Sequence, residues 1–91
     1  LTAPVAVLPW DESFLEAAQK IAMTLRSQNR AVEIIAQGQI GKRLGKADKI
    51  GAEWAIILAP DEWKNNKVNI KNLKTGAQET ISVESLINVI N

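Results

Sequence analysis

Three tryptophans stand out in a chain that has one Phe and no Tyr. Trp10 and Trp63 each follow an apolar run, beside Pro9 and Glu62. An indole at a strand end is a flat surface on which an unpaired base can stack. The plainer role is a half-buried side chain covering the end of a sheet. Trp54 opens the most apolar run and reads as core or sheet edge. Asp61 and Glu62 are adjacent carboxylates. Hydrolytic carboxylate pairs face one another across a substrate, and neighbours in one loop do not meet that need. A carboxylate that accepts hydrogen bonds from the amino or imino edge of a base is the better functional reading, with loop solvation as its alternative. Lys42, Lys46 and Lys49 recur at i, i+4 and i+7 with Arg43 adjacent, which on a helix makes one cationic strip. Such a strip pairs with phosphates and releases counterions, or it is a solvated face whose cations suit the C-terminal end of the helix dipole.

Other chemistries lack their residues. The chain has no Cys and no His, which removes thiol nucleophiles, disulfides, the common zinc sites and imidazole acid–base catalysis. No carboxylate cluster suggests a metal site, and no catalytic residue is expected. The stretch from Gly38 to Ala47 fails as a phosphate-binding loop. The position five before the Gly45-Lys46 pair is Ile40 where glycine is required, and the residue after the lysine is Ala47 where Ser or Thr would hold magnesium. No G-x-G-x-x-G follows the first strand, where a dinucleotide site would place it. Eleven Lys and Arg against ten Asp and Glu give a formal net charge of +1. The case for a nucleic-acid partner therefore rests on where the charges sit. No apolar run of about 18 residues is present, so no membrane-spanning segment is expected, and no secretory signal is visible. The missing cysteine fits a reducing, cytoplasmic setting.

Ninety-one residues, 46% hydrophobic and 23% charged, make one ordinary folded domain spanning 1–91. The chain starts at Leu1 and not Met, which suggests a domain taken from a larger parent. Pro4 to Leu8 is a short apolar run of the buried-strand kind. Asp11 is placed to cap the helix that follows, whose apolar face is Phe14, Leu15, Ala18, Ile21, Ala22 and Leu25. Ala31 to Ile35 reads as a second strand. A second helix spans Ile40 to about Ile50, with Ile40, Leu44 and Ala47 inward and Gly51 as its C-terminal cap. Trp54 to Ala59 is the candidate central strand, broken by Pro60 and Asp61. Val68 and Ile70 alternate with Asn69 and Lys71, giving a strand with one buried and one wet face. Lys74 to Gly76 form a turn, Gln78 to Ile81 return as a strand, and Ser82 can cap a last helix. The predicted order is β-α-β-α-β-β-β-α, a mixed five-stranded α/β sheet flanked by three helices.

The run IGKRLGKADKIGAEWAIILAPDE, Ile40 to Glu62, resembles the second helix, third strand and acidic turn of the anticodon-binding domain of class II aminoacyl-tRNA synthetases of the histidyl, threonyl, prolyl and glycyl group. Ala47-Asp48-Lys49 followed by Gly51-Ala52, and the run VNIKNLKTGAQETISVESLI from Val68 to Ile87, are similar to the histidyl branch. The likeness covers nearly the whole chain, with its specific motifs between residues 40 and 79. The sequence departs from the family pattern at several points. The usual GxxE is Ala59-Pro60-Asp61-Glu62, the usual KDL is Lys71-Asn72-Leu73, GEQ is Gly76-Ala77-Gln78, and a helix position that is commonly Gln is Arg43.

The resemblance implies the same mixed five-stranded sheet. It also implies a role in gripping a tRNA anticodon loop, that of tRNA-His for the histidyl branch. A separate catalytic domain of a histidine–tRNA ligase, absent from this chain, would use ATP and magnesium; this domain needs no cofactor. The parent of such a branch is a homodimer. By the resemblance, Glu62 and Lys71 contact anticodon bases and Gln37 reads a base before the second helix. Trp10 and Trp63 would join them at the sheet edge, and Lys42, Arg43 and Lys46 would neutralise phosphates. The alternative function is a regulatory or protein-interaction module of a synthetase paralogue, without specific anticodon reading.

Overall fold

The computed structural model describes residues 3–90. Five strands form one sheet in the order β2-β1-β3-β4-β5. They are β1 (Val5–Pro9), β2 (Val32–Ile34), β3 (Trp54–Leu58), β4 (Lys67–Asn72) and β5 (Gln78–Ser82). The first three are parallel, with Val5 opposite both Val32 and Trp54. The last two are antiparallel additions, Ile57 lying opposite Asn69 and Asn69 opposite Thr80. Helix α1 (Leu15–Ser27) joins β1 to β2, and α2 (Ile40–Lys49) carries the chain back across β1 to β3. Parallel crossovers are right-handed. These two run in opposite directions along the sheet, so α1 and α2 lie on opposite faces, each over its own buried cluster.

The two faces differ in character. On one, Val5, Val7, Ile56, Leu58, Val68 and Ile70 are buried beneath α1 and the C-terminal helix α4 (Leu86–Ile90). Each large aliphatic side chain fully buried here contributes about 1.5–3 kcal/mol. On the other face, Ala6, Ala55, Ala59 and Ala47 leave room for α2 to lie close over Leu8 and Ile57. Helix α2 covers only the parallel half of this face. Over β4 and β5 the same side of the sheet carries Asn69, Lys71, Gln78 and Thr80, the partners that register sets beside Ala55 and Ile57.

The predicted order is recovered, with one addition. Pro60 to Trp63, expected as a break, forms a single helical turn, α3, with Pro60 at its start. Proline is suited to the first helical turn because its absent N–H would have no partner there. Asp11, expected to cap α1, caps a 3-10 turn over Glu12–Phe14 that leads into it, its side chain accepting from the Ser13 N–H at 2.8 Å, and α1 itself begins without a side-chain cap. Gly51 ends α2 with a φ of +80°, the left-handed conformation that favours glycine. Ser82 makes no side-chain cap bond to the backbone; its hydroxyl meets that of Ser85 at 2.7 Å instead, ahead of α4. At the other turn, Asn72 Oδ1 accepts from the N–H groups of Lys74 and Thr75.

Candidate nucleic-acid interface

The chain leaves β1 toward α1 on one face and leaves β3 toward β4 on the far side. The carboxyl ends of β1 and β3 therefore flank the point where the connections diverge, which is where open α/β sheets bind ligands. Those ends are tied together by the Trp10 N–H, which donates to the Leu58 carbonyl at 2.9 Å. A crevice of about 370 Å³ opens there, lined by Trp10, Ile40, Ile57, Pro60, Glu62 and Asn69 among others. The Trp10 side chain is 49% exposed at its rim. The turn of α3 is held to the strand end by the Trp63 N–H on the Ala59 carbonyl at 2.9 Å, which places Asp61 and Glu62 over the crevice. Asn69 reaches it from β4. Lys71, two residues along β4 and so on the same face, is half-buried beside Ala55 and Gln78.

Other expected site residues fall elsewhere. Trp63 turns to the opposite face, where it packs edge-on against Phe14 with ring centroids 6.4 Å apart and an interplanar angle of 85°. It lines an apolar cleft of about 580 Å³ between α1 and the last helix, with Ile21, Val83, Leu86 and Ile87. This cleft is the larger hollow. The crevice is the better candidate site because its polar groups converge on one small apolar floor. Gln37 is exposed at the far edge of the sheet, in a shallow recess with Glu33 and Lys46. Lys42, Lys46 and Lys49 do form an exposed strip along α2.

Arg43 corrects the expectation that it serves a phosphate. It is 4% exposed. Its guanidinium donates to the carbonyls of Gly38 (2.9 Å), Pro9 (2.6 Å), Ile35 (3.1 Å) and Trp10 (3.4 Å). Burial pushes its pKa below the usual value, yet an arginine keeps its charge, and hydrogen bonds to a charged group, about 1.5–3 kcal/mol each, offset the loss of water. The side chain thereby staples the ends of β1 and β2 to the turn before α2, and it holds the backbone of Trp10. The signal for this was available: residue 43 lies on the inward stripe of 40, 43, 44 and 47, and the charge of its side chain masked that periodicity. Asn69 was also missed as a site residue, although alternation along β4 placed it on the wet face. Arg30 has a similar structural role, donating to the carbonyls of Ile90 and Ala3 and meeting Glu53 at 3.4 Å.

An exposed indole at the rim, with carboxylates and an amide lining the crevice and an ammonium group farther along the same face, defines a binding domain suited to a flat, polar ligand. The family model described as "Anticodon binding domain" matches residues 4–91. This chain belongs to that anticodon-binding domain family. It is 36% identical over 77 residues to a histidine–tRNA ligase of Clostridium tetani, covering 84% of this chain and 18% of that protein. It is 33% identical over 101 residues to a proline–tRNA ligase of Wolbachia sp. subsp. Brugia malayi, covering 100% of this chain and 24% of the relative. The structure superposes on a crystal structure of histidyl-tRNA synthetase from Nostoc sp. PCC 7120 with a TM-score of 0.90 and 26% identity, covering 99% of this chain and 22% of the other. The chain thus spans about a fifth of the length of the proteins it matches. No helix among the described residues is long and apolar enough to cross a membrane.

Proposed function

We propose that this chain is the anticodon-reading domain of a histidine–tRNA ligase, with the anticodon loop of tRNA-His as its partner. The observation that carries this reading is the coincidence of a family match over residues 4–91 with a crevice that presents Trp10 and Glu62 at the diverging ends of β1 and β3. Trp10 stacks on a splayed base. Glu62 accepts from a base edge, Lys71 meets a base or its backbone on the same face, and Gln37 with Lys46 contacts the loop from the β2 edge. Lys42 and Lys46 neutralise phosphates. The domain uses no cofactor of its own. ATP, magnesium and histidine belong to the catalytic part of the parent, a cytoplasmic homodimer.

The test is titration of the chain with two anticodon stem-loops, one bearing the histidine anticodon GUG and one scrambled, at low and moderate salt. The expected result is salt-weakened binding that favours GUG. It falls about tenfold or more in Glu62→Ala and in Lys71→Ala, as when a base hydrogen bond worth about 1–3 kcal/mol is removed. Equal binding of both loops, untouched by either substitution, would overturn the reading and leave only a generic RNA surface.

A further inference from the structure

Asn69 has the geometry of a base-reading residue, although it is not among the positions that the family resemblance implies. Register places Ile57, Asn69 and Thr80 in one row across β3, β4 and β5, all on the face that carries the crevice. The Thr80 hydroxyl donates to Asn69 Oδ1 at 2.6 Å. An amide whose oxygen is held on the β5 side turns its nitrogen the other way, toward β3, and β3 is where the crevice lies. The crevice then has an N–H donor from Asn69 and a carboxylate acceptor from Glu62 on a shared apolar floor of Ile57, with Trp10 at the rim.

We propose that Asn69, oriented by Thr80, is a specificity-determining residue that selects a keto base, guanine foremost; this rests on the anticodon reading above. The order of donors and acceptors decides the choice. On its Watson–Crick edge guanine presents the O6 acceptor beside the N1–H and N2–H donors. The Asn69 amide donates to O6, and the two carboxylate oxygens of Glu62 accept from N1–H and N2–H. Uracil matches the first two of these contacts but sets its O2 against the carboxylate. Adenine and cytosine present an amino donor to the Asn69 donor and a ring-nitrogen acceptor to the Glu62 acceptor, so both contacts fail. A buried donor or acceptor left facing its like loses its hydrogen bond and its water together. The order of preference is therefore guanine, then uracil, then the amino bases.

The experiment titrates the full 91-residue chain, following tryptophan fluorescence, with GUG stem-loops in which each G in turn is replaced by A and the U by C. The chain is used as wild type, Asn69→Asp and Thr80→Val, with thermal melts confirming that each variant folds. At one guanine position the wild type discriminates against adenine by about tenfold or more. Asn69→Asp, of the same shape but with the donor replaced by an acceptor, abolishes that preference at that position alone. Thr80→Val lowers it several-fold while leaving Glu62 and Trp10 in place. Retention of the wild-type preference at every position by Asn69→Asp would overturn the assignment while leaving anticodon binding intact. Should no loop bind the wild type, the functional reading falls, and this inference with it.

Discussion

Trp10 and Arg43 are adjacent in the structure and opposite in role. The Trp10 indole is half exposed and belongs to neither buried cluster, so its removal should cost affinity and not stability. Trp10→Ala is expected to weaken loop binding by about 1–3 kcal/mol, the value of one base stacked on an aromatic side chain, with an unchanged melting temperature. Arg43→Ala should do the reverse in first order. It strips four carbonyls of a shared donor, and a thermal or urea melt should show a loss of about 2–4 kcal/mol. For a domain of this size that is a large share of a total stability of about 5–14 kcal/mol. Arg43→Lys should rescue little, because an ammonium cannot fork across separate carbonyls. Residue types were legible at Glu62 and Trp10, whose positions at strand ends follow from the apolar runs before them. They were misleading at Arg43, where a charged side chain sits on the buried stripe because the backbone around it supplies the partners. Trp63 followed the same local cue as Trp10 but lies one helical turn farther on, and that turn rotates it to the other face.

Among the elements, β1, α1, α2 and β3 were legible because each couples an apolar period to a boundary signal: Asp11 at the turn that leads into α1, Gly51 after α2, Pro60 after β3. The one-turn helix α3 was not, since four residues carry no periodicity; its cause is Pro60 at the first position together with the backbone bond from Trp63 to Ala59. Helix α2 has two jobs set by its two sides. Ile40, Leu44 and Ala47 fix it over the alanine-rich part of the sheet, and Lys42, Lys46 and Lys49 remain in solvent. If the outer strip meets loop phosphates, the double variant Lys42→Ala, Lys46→Ala should flatten the dependence of log K on log salt by about 0.7 for each single-strand phosphate no longer neutralised. Melting of the variant should be unaffected, since both side chains are exposed. An unchanged slope would return the strip to plain solvation.

At the scale of the whole molecule, the sheet order separates two surfaces. One face is closed by α1 and α4 and holds the larger core. The other is half open, because a single helix covers the parallel strands and, among the described residues, nothing covers the polar rows of β4 and β5. Composition could not show this division, since a net charge of +1 does not say where the charges sit; it follows from the handedness of two crossovers that run in opposite directions. By the proposed function, RNA lies on the half-open face, at the ends of β1 and β3, and not in the apolar cleft that Trp63 lines. The most direct test is amide mapping of the isotope-labelled chain during titration with the GUG stem-loop. Shifts concentrated at Trp10, Ala59, Asp61, Glu62, Asn69 and Lys71, with α1 and α4 silent, are the predicted result. Shifts centred on Ile21, Trp63, Leu86 and Ile87 would contradict the placement of the site.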